Sequence, residues 1–491
     1  MRKRILAAAI GFLATACNQP VGQNQTAATT KTDSSDSNGY EFVGGYPTPA
    51  TIQKAYDDAD LNRAIQAYRF FYPTVSGEAI LEGNLAINVK PNVVSGTLDT
   101  KPQQIGFTLN SDTPYGPLLI DLSKGPFVVD LPPGPLIVVA MDVNQRWVAD
   151  MGIPGPDEGK GGKHLILPPD YKGTIPSGYH VWKSSSNNLT VGVRSLPVGG
   201  DVKAAMERIK TIKFFPLNDP SSAVQWLDLS GKPQNTTPLD WENNIKYWEV
   251  LAKVIDREPS YEGYHAYYGE LAALGIAKGK PFNPDARMKS ILEKAARIGN
   301  AQMRVQSFAD RRPDRVVWKD RQWEWVGLRP ENGDFETPDY LDLAAREVWF
   351  YQAIGASPAM FRRRAGQGSL YWLGLRDKTG AYVDGGKTYK LTIPQPVPAG
   401  LFWSVTVYDA LTRSQVETDQ GYAALRSMFE LKDFAKDPSV ELYFGPKAPA
   451  GKEKQWIKTI PGRGWFVYIR IYGPQQAAFD GSWKPGDFEA M

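Results

Sequence analysis

Asn110, Asp112, Thr113 and Tyr115 crowd one short stretch between two apolar runs, inside the segment Phe107 to Pro133. Asp112 has the chemistry of a general acid or base, or, with the side-chain oxygen of Asn110, of a hard-cation ligand. Tyr115 can donate a hydrogen bond to a substrate oxygen. Asp112 and Tyr115 are therefore the candidate catalytic pair, with Asn110 and Thr113 as candidate ligand contacts. The same residue types also build turns, because Asn and Asp bond their own backbone and Pro114 fixes a bend. A second group is Tyr408, Asp409, Thr412 and Arg413. An Asp at a strand end and an Arg four residues on can clamp an anionic or hydroxylated ligand, since guanidinium is a planar fork of donors. Asp409 and Arg413 are therefore candidate ligand contacts; the competing reading is an ion pair that holds a strand-to-loop corner.

Other chemistry finds less support. The chain has 3 His, at His164, His180 and His265, and a single Cys, Cys17. Helical metal spacings such as His-x-x-x-His are absent, so no metal is expected. His164 and His180 are placed to meet on neighbouring strands. Nothing specifies a cofactor. The run Gly152 to Lys163, GIPGPDEGKGGK, fails as a phosphate loop: its glycines are misplaced and a strand follows where a helix is needed. No Gly-x-Ser-x-Gly elbow occurs; Gly368 and Ser369 precede Tyr371 where glycine is required. Trp241, Trp248, Tyr264, Tyr267 and Tyr268 fit helix packing. Trp318, Trp323 and Trp325 lie among charged residues, and their rings suit a sugar or a partner surface.

These groups need elements to hold them. Leu61, Ala64, Ile65, Tyr68 and Phe71 recur at helical spacing, which predicts a helix over Asp60 to Tyr72 stopped by Pro73. Short alternating or apolar runs then follow: Gln104–Leu109, Leu118–Leu122, Phe127–Leu131, Leu136–Val143, Arg146–Met151, His164–Leu167 and Leu189–Leu196. Gly, Pro, Asn or Asp separates most of them, which points to an antiparallel sandwich or barrel. Helical periods dominate from Asp201 to Gln367. Asp240 is placed to cap a helix with face Trp241, Ile245, Trp248, Ala252 and Ile255. Further helices are predicted over Tyr264–Ala277, from an Asn283 cap with Pro284 in its first turn toward Phe308, and over Tyr340–Ile354. Strands return at Tyr371–Leu375, Tyr389–Ile393, Phe402–Tyr408, Val440–Phe444, Trp456–Ile460 and Trp465–Tyr472. In the last, Trp465, Val467, Ile469 and Ile471 share one face, and Phe466, Tyr468, Arg470 and Tyr472 the other. An aromatic face carrying a cation is expected to touch something other than bulk water.

The N-terminus has the form of an export signal over residues 1–17. Arg2, Lys3 and Arg4 precede a short apolar run, Ile5 to Ala16, too short to span a bilayer. Leu13-Ala14-Thr15-Ala16-Cys17 resembles a lipoprotein box, with Ala14 where Leu is usual, and Cys17 as the lipidated residue. Asn18 after the Cys resembles outer-membrane sorting. Residues 18–39 are polar and small and form an expected disordered tether. Length of 491 residues and 42% hydrophobic content allow two or three domains with sizeable cores. A net charge of +3, with both signs mixed along the chain, gives no footprint for nucleic acid.

The motif Asn110-Ser111-Asp112-Thr113-Pro114-Tyr115, followed by Asp121-Leu122, Gly125-Pro126 and Pro132, resembles domain-of-unknown-function family 1254. The motif Phe402-Trp403-Ser404-Val405-Thr406-Val407-Tyr408-Asp409 with Thr412-Arg413, then Trp465 to Pro474 and Phe479-Asp480-Gly481-Ser482-Trp483, resembles family 1214. The resemblance covers most of the chain after Tyr40 in the expected order. It implies a β-rich α+β fold: two antiparallel β-sandwich, jelly-roll-like domains over 40–200 and 368–491, with a helical segment over 201–367 inserted between them. It implies no activity.

The resulting expectation is an envelope lipoprotein on the periplasmic face of the outer membrane. It would bind a polar small molecule or glycan in an inter-domain cleft and touch the membrane only through its lipid. The alternatives are a hydrolase or lyase with Asp112 as base and Tyr115 or Arg413 steadying negative charge, and a structural envelope protein that forms homo-oligomers through its aromatic face.

Overall fold

The computed structural model describes residues 39–231, 233–329, 334–361 and 363–491. The export signal, Cys17 and the tether up to residue 38 lie outside the described residues. Two compact units divide the chain, one ending at Asp58 and the other running from Ala59 to Met491. In the first, a two-residue hairpin pairs Phe42–Val43 with Tyr46–Pro47. The rest of the description concerns the second.

The fold is β-rich α+β, with mostly antiparallel sheets. Four strands, Tyr115–Asp121, Asn188–Ser195, Leu136–Asp142 and Trp147–Gly152, form an antiparallel sheet in that order. A second sheet runs His180–Lys183, Gly162–Leu167, Phe127–Leu131 and Lys213–Pro216, with the first pair parallel. Alternation dictates what each face does. Leu118, Ile120, Leu189, Val191, Val193, Val138 and Ala140 of the first sheet pack with Phe127, Val129, Ile166 and Phe214 of the second in one core.

The C-terminal strands repeat that plan. Trp323–Trp325, Ser369–Gly374, Trp465–Pro474, Ala399–Asp409 and Ala424–Arg426 form one antiparallel sheet. Trp456–Lys458, Ser439–Gly445, Tyr389–Pro394 and Glu489–Ala490 form the other. Trp372, Val405, Val407, Val467, Ile469 and Ile471 meet Leu391, Ile393, Leu442 and Phe444 in a second core. The opposite face of the first of these sheets turns Tyr371, Tyr408, Phe466 and Tyr468 into a third core, which is built mainly from helices. The aromatic face of Trp465–Pro474 thus packs against protein, as its composition required.

The helical core corrects several boundaries. The first helix runs Pro49–Ala86 and does not stop at Pro73. An internal proline removes one N–H and clashes with the carbonyl a turn earlier. Here the carbonyls of Tyr68 and Phe70, near that turn, accept hydrogen bonds from Tyr247 Oη (2.6 Å) and Arg346 Nη1 (2.5 Å). Complete burial of Thr74, Val75 and Ser76 favours keeping the segment helical. The helix expected after Asp240 begins at Lys246, because Trp241 is drawn into the core with its indole N–H on the Pro238 carbonyl at 2.6 Å. The cap of the helix Ala286–Phe308 is Asp285, whose carboxylate accepts from the Met288 N–H, in place of Asn283. Gly299 does not interrupt that helix; a Cβ there would lie 2.4 Å from the Tyr68 ring, so glycine permits the close packing. His265–Ala273 follows a short 3-10 turn, and Leu343–Gln352 is capped by Asp342.

The predicted strand Gln104–Leu109 is reduced to Gln104–Ile105. The remainder turns inward to the site described next. Trp318, Trp323 and Trp325 pack at the C-terminal core, with Trp323 buried and its N–H on the Gly486 carbonyl at 2.8 Å. They form no exposed stacking platform.

Candidate functional site

A cavity of about 110 Å3 opens where the second faces of the two strand systems meet the helix Leu343–Gln352. The N-terminal sheet contributes Tyr115, Val139, Met141, Gly192 and Arg194. In that sheet Arg194 stands opposite Tyr115 on one neighbouring strand and Ile137 on the other. It therefore points away from the core that holds Val191 and Val193. The C-terminal sheet contributes Tyr371, Tyr468 and Arg470, and the helical part Trp349, Ile354 and Met360. Within its sheet Arg470 stands between Tyr371 and Ser404.

The turned-in segment Phe107–Asn110 forms part of the wall. Thr108 sits at φ 45°, a left-handed conformation that is strained for a β-branched residue. Four bonds hold it there, the longest from the Tyr408 hydroxyl to the Thr108 carbonyl at 3.4 Å. Its N–H donates to the Arg413 carbonyl (2.8 Å), its hydroxyl to the Gln352 carbonyl (2.8 Å), and its own carbonyl accepts from Arg470 Nη2 (2.7 Å). Arg413, at φ 56°, is left-handed too. Two strained residues joined backbone to backbone thus tie the N-terminal strands to the C-terminal hairpin.

The motif around Asp112 is both a turn and part of this site. Asn110 Oδ1 accepts from the N–H groups of Asp112 (2.8 Å) and Thr113 (2.9 Å) and from the Thr113 hydroxyl (3.2 Å). Asn110 Nδ2 donates to the Tyr115 hydroxyl at 2.6 Å. Asn110 and Tyr115 line the cavity, while Thr113 is buried in the turn. Asp112 is fully buried beside the cavity and outside its lining. Its Oδ2 accepts from Ser404 Oγ (2.8 Å) and Tyr472 Oη (3.1 Å), and its Oδ1 has no partner. Burial pushes its carboxyl above the ordinary carboxylate range, opposed by the Arg470 guanidinium and the Ser404 bond. The Asp112 charge also helps to raise the Tyr472 hydroxyl, after burial as the larger cause.

Asp409 and Arg413 sit elsewhere. Asp409 Oδ1 accepts from the N–H groups of Leu411 (2.8 Å) and Thr412 (3.1 Å) and from Arg463 Nη2 (2.8 Å), which closes the hairpin end. Arg413 is wholly buried and paired with Glu242, with further bonds to the carbonyls of Leu411 (2.6 Å) and Tyr351 (3.1 Å) and the Tyr72 hydroxyl (3.1 Å). Its guanidinium lies 4.5 Å from the Phe107 and Tyr351 ring centres. Neither residue lines the cavity.

Sequence reasoning missed Arg194, Gly192, Tyr371 and Trp349. No local signal marked them: Arg194 and Gly192 share a strand face with Asn188 and Thr190, which reads as an ordinary solvated face. His164 and His180 do meet, in register on parallel strands with rings 5.0 Å apart. His164 Nδ1 accepts from Trp182 Nε1 (3.2 Å) and its Nε2 lies 3.3 Å from Asp157, which anchors the loop after Gly152. Among the described residues no cluster of three His, Cys, Asp or Glu is arranged for a metal. No helix there is long and apolar enough to cross a membrane.

Residues 94–216 match the family of proteins of unknown function DUF1254, and residues 368–476 match the family DUF1214. Both families therefore contribute walls to the cavity, in the order that the motifs implied. Among solved structures, a protein from Vibrio parahaemolyticus shares the fold with a TM-score of 0.55 at 18% identity, over 88% of this chain and all of that one. An uncharacterized protein from Burkholderia cenocepacia aligns with a TM-score of 0.40 at 11% identity, over 90% of this chain and 97% of that one. No curated protein matches the chain.

Proposed function

We propose that this chain, which joins a DUF1254 region to a DUF1214 region, is a cell-envelope lipoprotein that binds a polar small molecule. Its two jelly-roll-like β-sandwiches, with the helical segment between them, hold that molecule in the cavity walled by Tyr115, Arg194, Trp349, Tyr371 and Arg470. The observation that carries the reading is a recess whose lining sets Asn110, Tyr115, Arg194, Tyr371 and Arg470 among apolar side chains, the usual composition of a small-molecule site. The strained Thr108, fixed by four bonds, supports it, because such strain concentrates where a binding surface must be preorganised. The cavity is smaller than the roughly 300–1,000 Å3 typical of drug-sized ligands. That size favours a compact molecule over an oligosaccharide.

Gly192 supplies the test. A Cβ there meets only Val139 Cγ1, at 3.5 Å, so a larger side chain enters the cavity without striking backbone. In thermal-shift screening against a mixed library of small polar molecules, some compounds should stabilise the wild type and not Gly192→Val. The absence of any such difference would remove the reading. The lipid tether rests on Cys17 and its flanking residues. Cys17→Ala should move the protein from the membrane to the soluble envelope fraction; unchanged fractionation would refute the anchor.

A hydrolase or lyase with Asp112 as base is the second reading, favoured by its raised carboxyl and unpartnered Oδ1. Binding is the better supported of the two, because Asp112 spends its other oxygen on Ser404 and Tyr472 and lies outside the lining.

A further inference from the structure

Hydrogen-bond capacity around the cavity is one-sided. Arg194 is half-buried and makes no hydrogen bond or ion pair through its side chain with any described residue; its electrostatic neighbours include Tyr115, Tyr371, Tyr472 and Arg470. The Tyr115 hydroxyl accepts from Asn110, and the Tyr371 hydroxyl accepts from Ser369 Oγ at 2.6 Å. The Tyr115 proton has no acceptor among the described residues, and with Ser369 as the donor of its pair the Tyr371 proton is free as well. The one side-chain carbonyl in the lining, that of Asn110, is already saturated by three donors. The Leu109 carbonyl already accepts from Tyr408 (2.8 Å) and Gln415 (3.1 Å). The side chains of the recess therefore offer unspent donors and no unspent carbonyl or carboxylate, so they suit a head group that only accepts.

Charge gives the same answer. No lining residue is acidic, and two are arginines. The charge of Asp112 acts on Arg470, which also donates to Tyr408 (2.5 Å) and Thr108 (2.7 Å). Arg194 has no such counter-charge, so one positive charge is left over. A sugar would bring hydroxyl donors that no free side-chain carbonyl or carboxylate of the lining is there to accept. An inorganic anion would waste the rest of the wall, which is Leu109, Val139, Trp349, Ile354 and Met360.

Resting on the cavity reading above, we propose that the ligand is a compact organic monocarboxylate. Its carboxylate sits on the Arg194 guanidinium and the Tyr115 and Tyr371 hydroxyls, and its apolar body lies against Trp349, Ile354 and Met360. Guanidinium matches a carboxylate with two parallel N–H bonds. A cavity of about 150 Å3 holds one benzene ring; at about 110 Å3 this one suits a body of a few carbons and makes a ring a tight fit.

The test is calorimetric titration of the purified full chain with isobutyrate and benzoate, their amides, and inorganic phosphate. At least one carboxylate should bind saturably, and its amide at least about tenfold more weakly. Arg194→Gln should weaken carboxylate binding by about ten- to a hundredfold. Arg194→Lys should recover part of that loss, and Gly192→Val should abolish binding. The inference is overturned if an amide binds as well as its acid, if phosphate binds as tightly as the carboxylates, if Arg194→Gln is silent, or if no carboxylate binds. The broader cavity reading is judged separately. Any compound, neutral or charged, that binds the wild type and not Gly192→Val keeps it standing when the carboxylate fails.

Discussion

Arg413 and Arg194 make an instructive pair. Both belong to β-rich regions, and both are surrounded by aromatic rings brought together from distant parts of the chain. Arg413 is saturated: it has an acidic partner in Glu242, two carbonyls, a tyrosine hydroxyl and two rings. Arg194 has rings nearby and no acceptor. A buried charge that is fully paired holds a fold together, and removing its partner leaves an expensive orphan. A cation that keeps its donors unspent beside a cavity is arranged for something that arrives from outside. The residue that looked like a ligand clamp in sequence is thus a structural tie, and the clamp is an arginine in the middle of an ordinary alternating strand.

That contrast can be broken by substitution. The largest effect belongs to Glu242→Ala, which strands the Arg413 charge. Unfolding by denaturant should show a loss of about 3–5 kcal/mol; a loss under about 1 kcal/mol would mean that the pair does not tie the junction. An intermediate effect belongs to Asp112, whose folded carboxyl titrates above the ordinary value of 3.8. Such a group favours the folded state at low pH, and that contribution is lost as pH rises from the unfolded pKa through the folded one. Wild type should therefore lose stability relative to Asp112→Asn as pH is raised above 3.8. Parallel pH profiles of the two would show that the buried carboxylate is fully compensated. Asp342, lowered by its bonds to Arg312, the Ala345 N–H and Arg329 despite the opposing effect of burial, has the opposite sign. Its contribution is present above the unfolded value and disappears on acidification. The smallest effect belongs to Arg194→Gln, which removes no internal bond. Its stability should stay within about 0.5 kcal/mol of wild type. A loss as large as that of Glu242→Ala would show that Arg194 is a second structural tie.

Much of the strand framework was legible. Phe127–Leu131 was read to the residue, and Leu136–Asp142, Asn188–Ser195 and Trp465–Pro474 to within two. These strands alternate strongly, and a face that must be buried fixes its own register. The helical part was read less well. Pro73 and Asp240 carry local signals for a stop and a cap, and packing overrode both. The Asn110–Tyr115 motif was legible as a turn, and its place on a cavity wall was not, because the opposite wall begins more than 200 residues later, at Trp349.

What the sequence determined by itself was alternation: which strand faces are aliphatic, which are aromatic, and in what order the two family motifs stand. These follow from neighbours within a few residues, where side-chain periodicity is the governing constraint. Only the tertiary structure decided which charges are spent. Glu242 reaches Arg413 across 171 residues, and no residue of the described chain reaches Arg194 in the same way. Whether an arginine is a tie or a site depends on which acceptors the folded chain brings to it, and that depends on contacts made at long range.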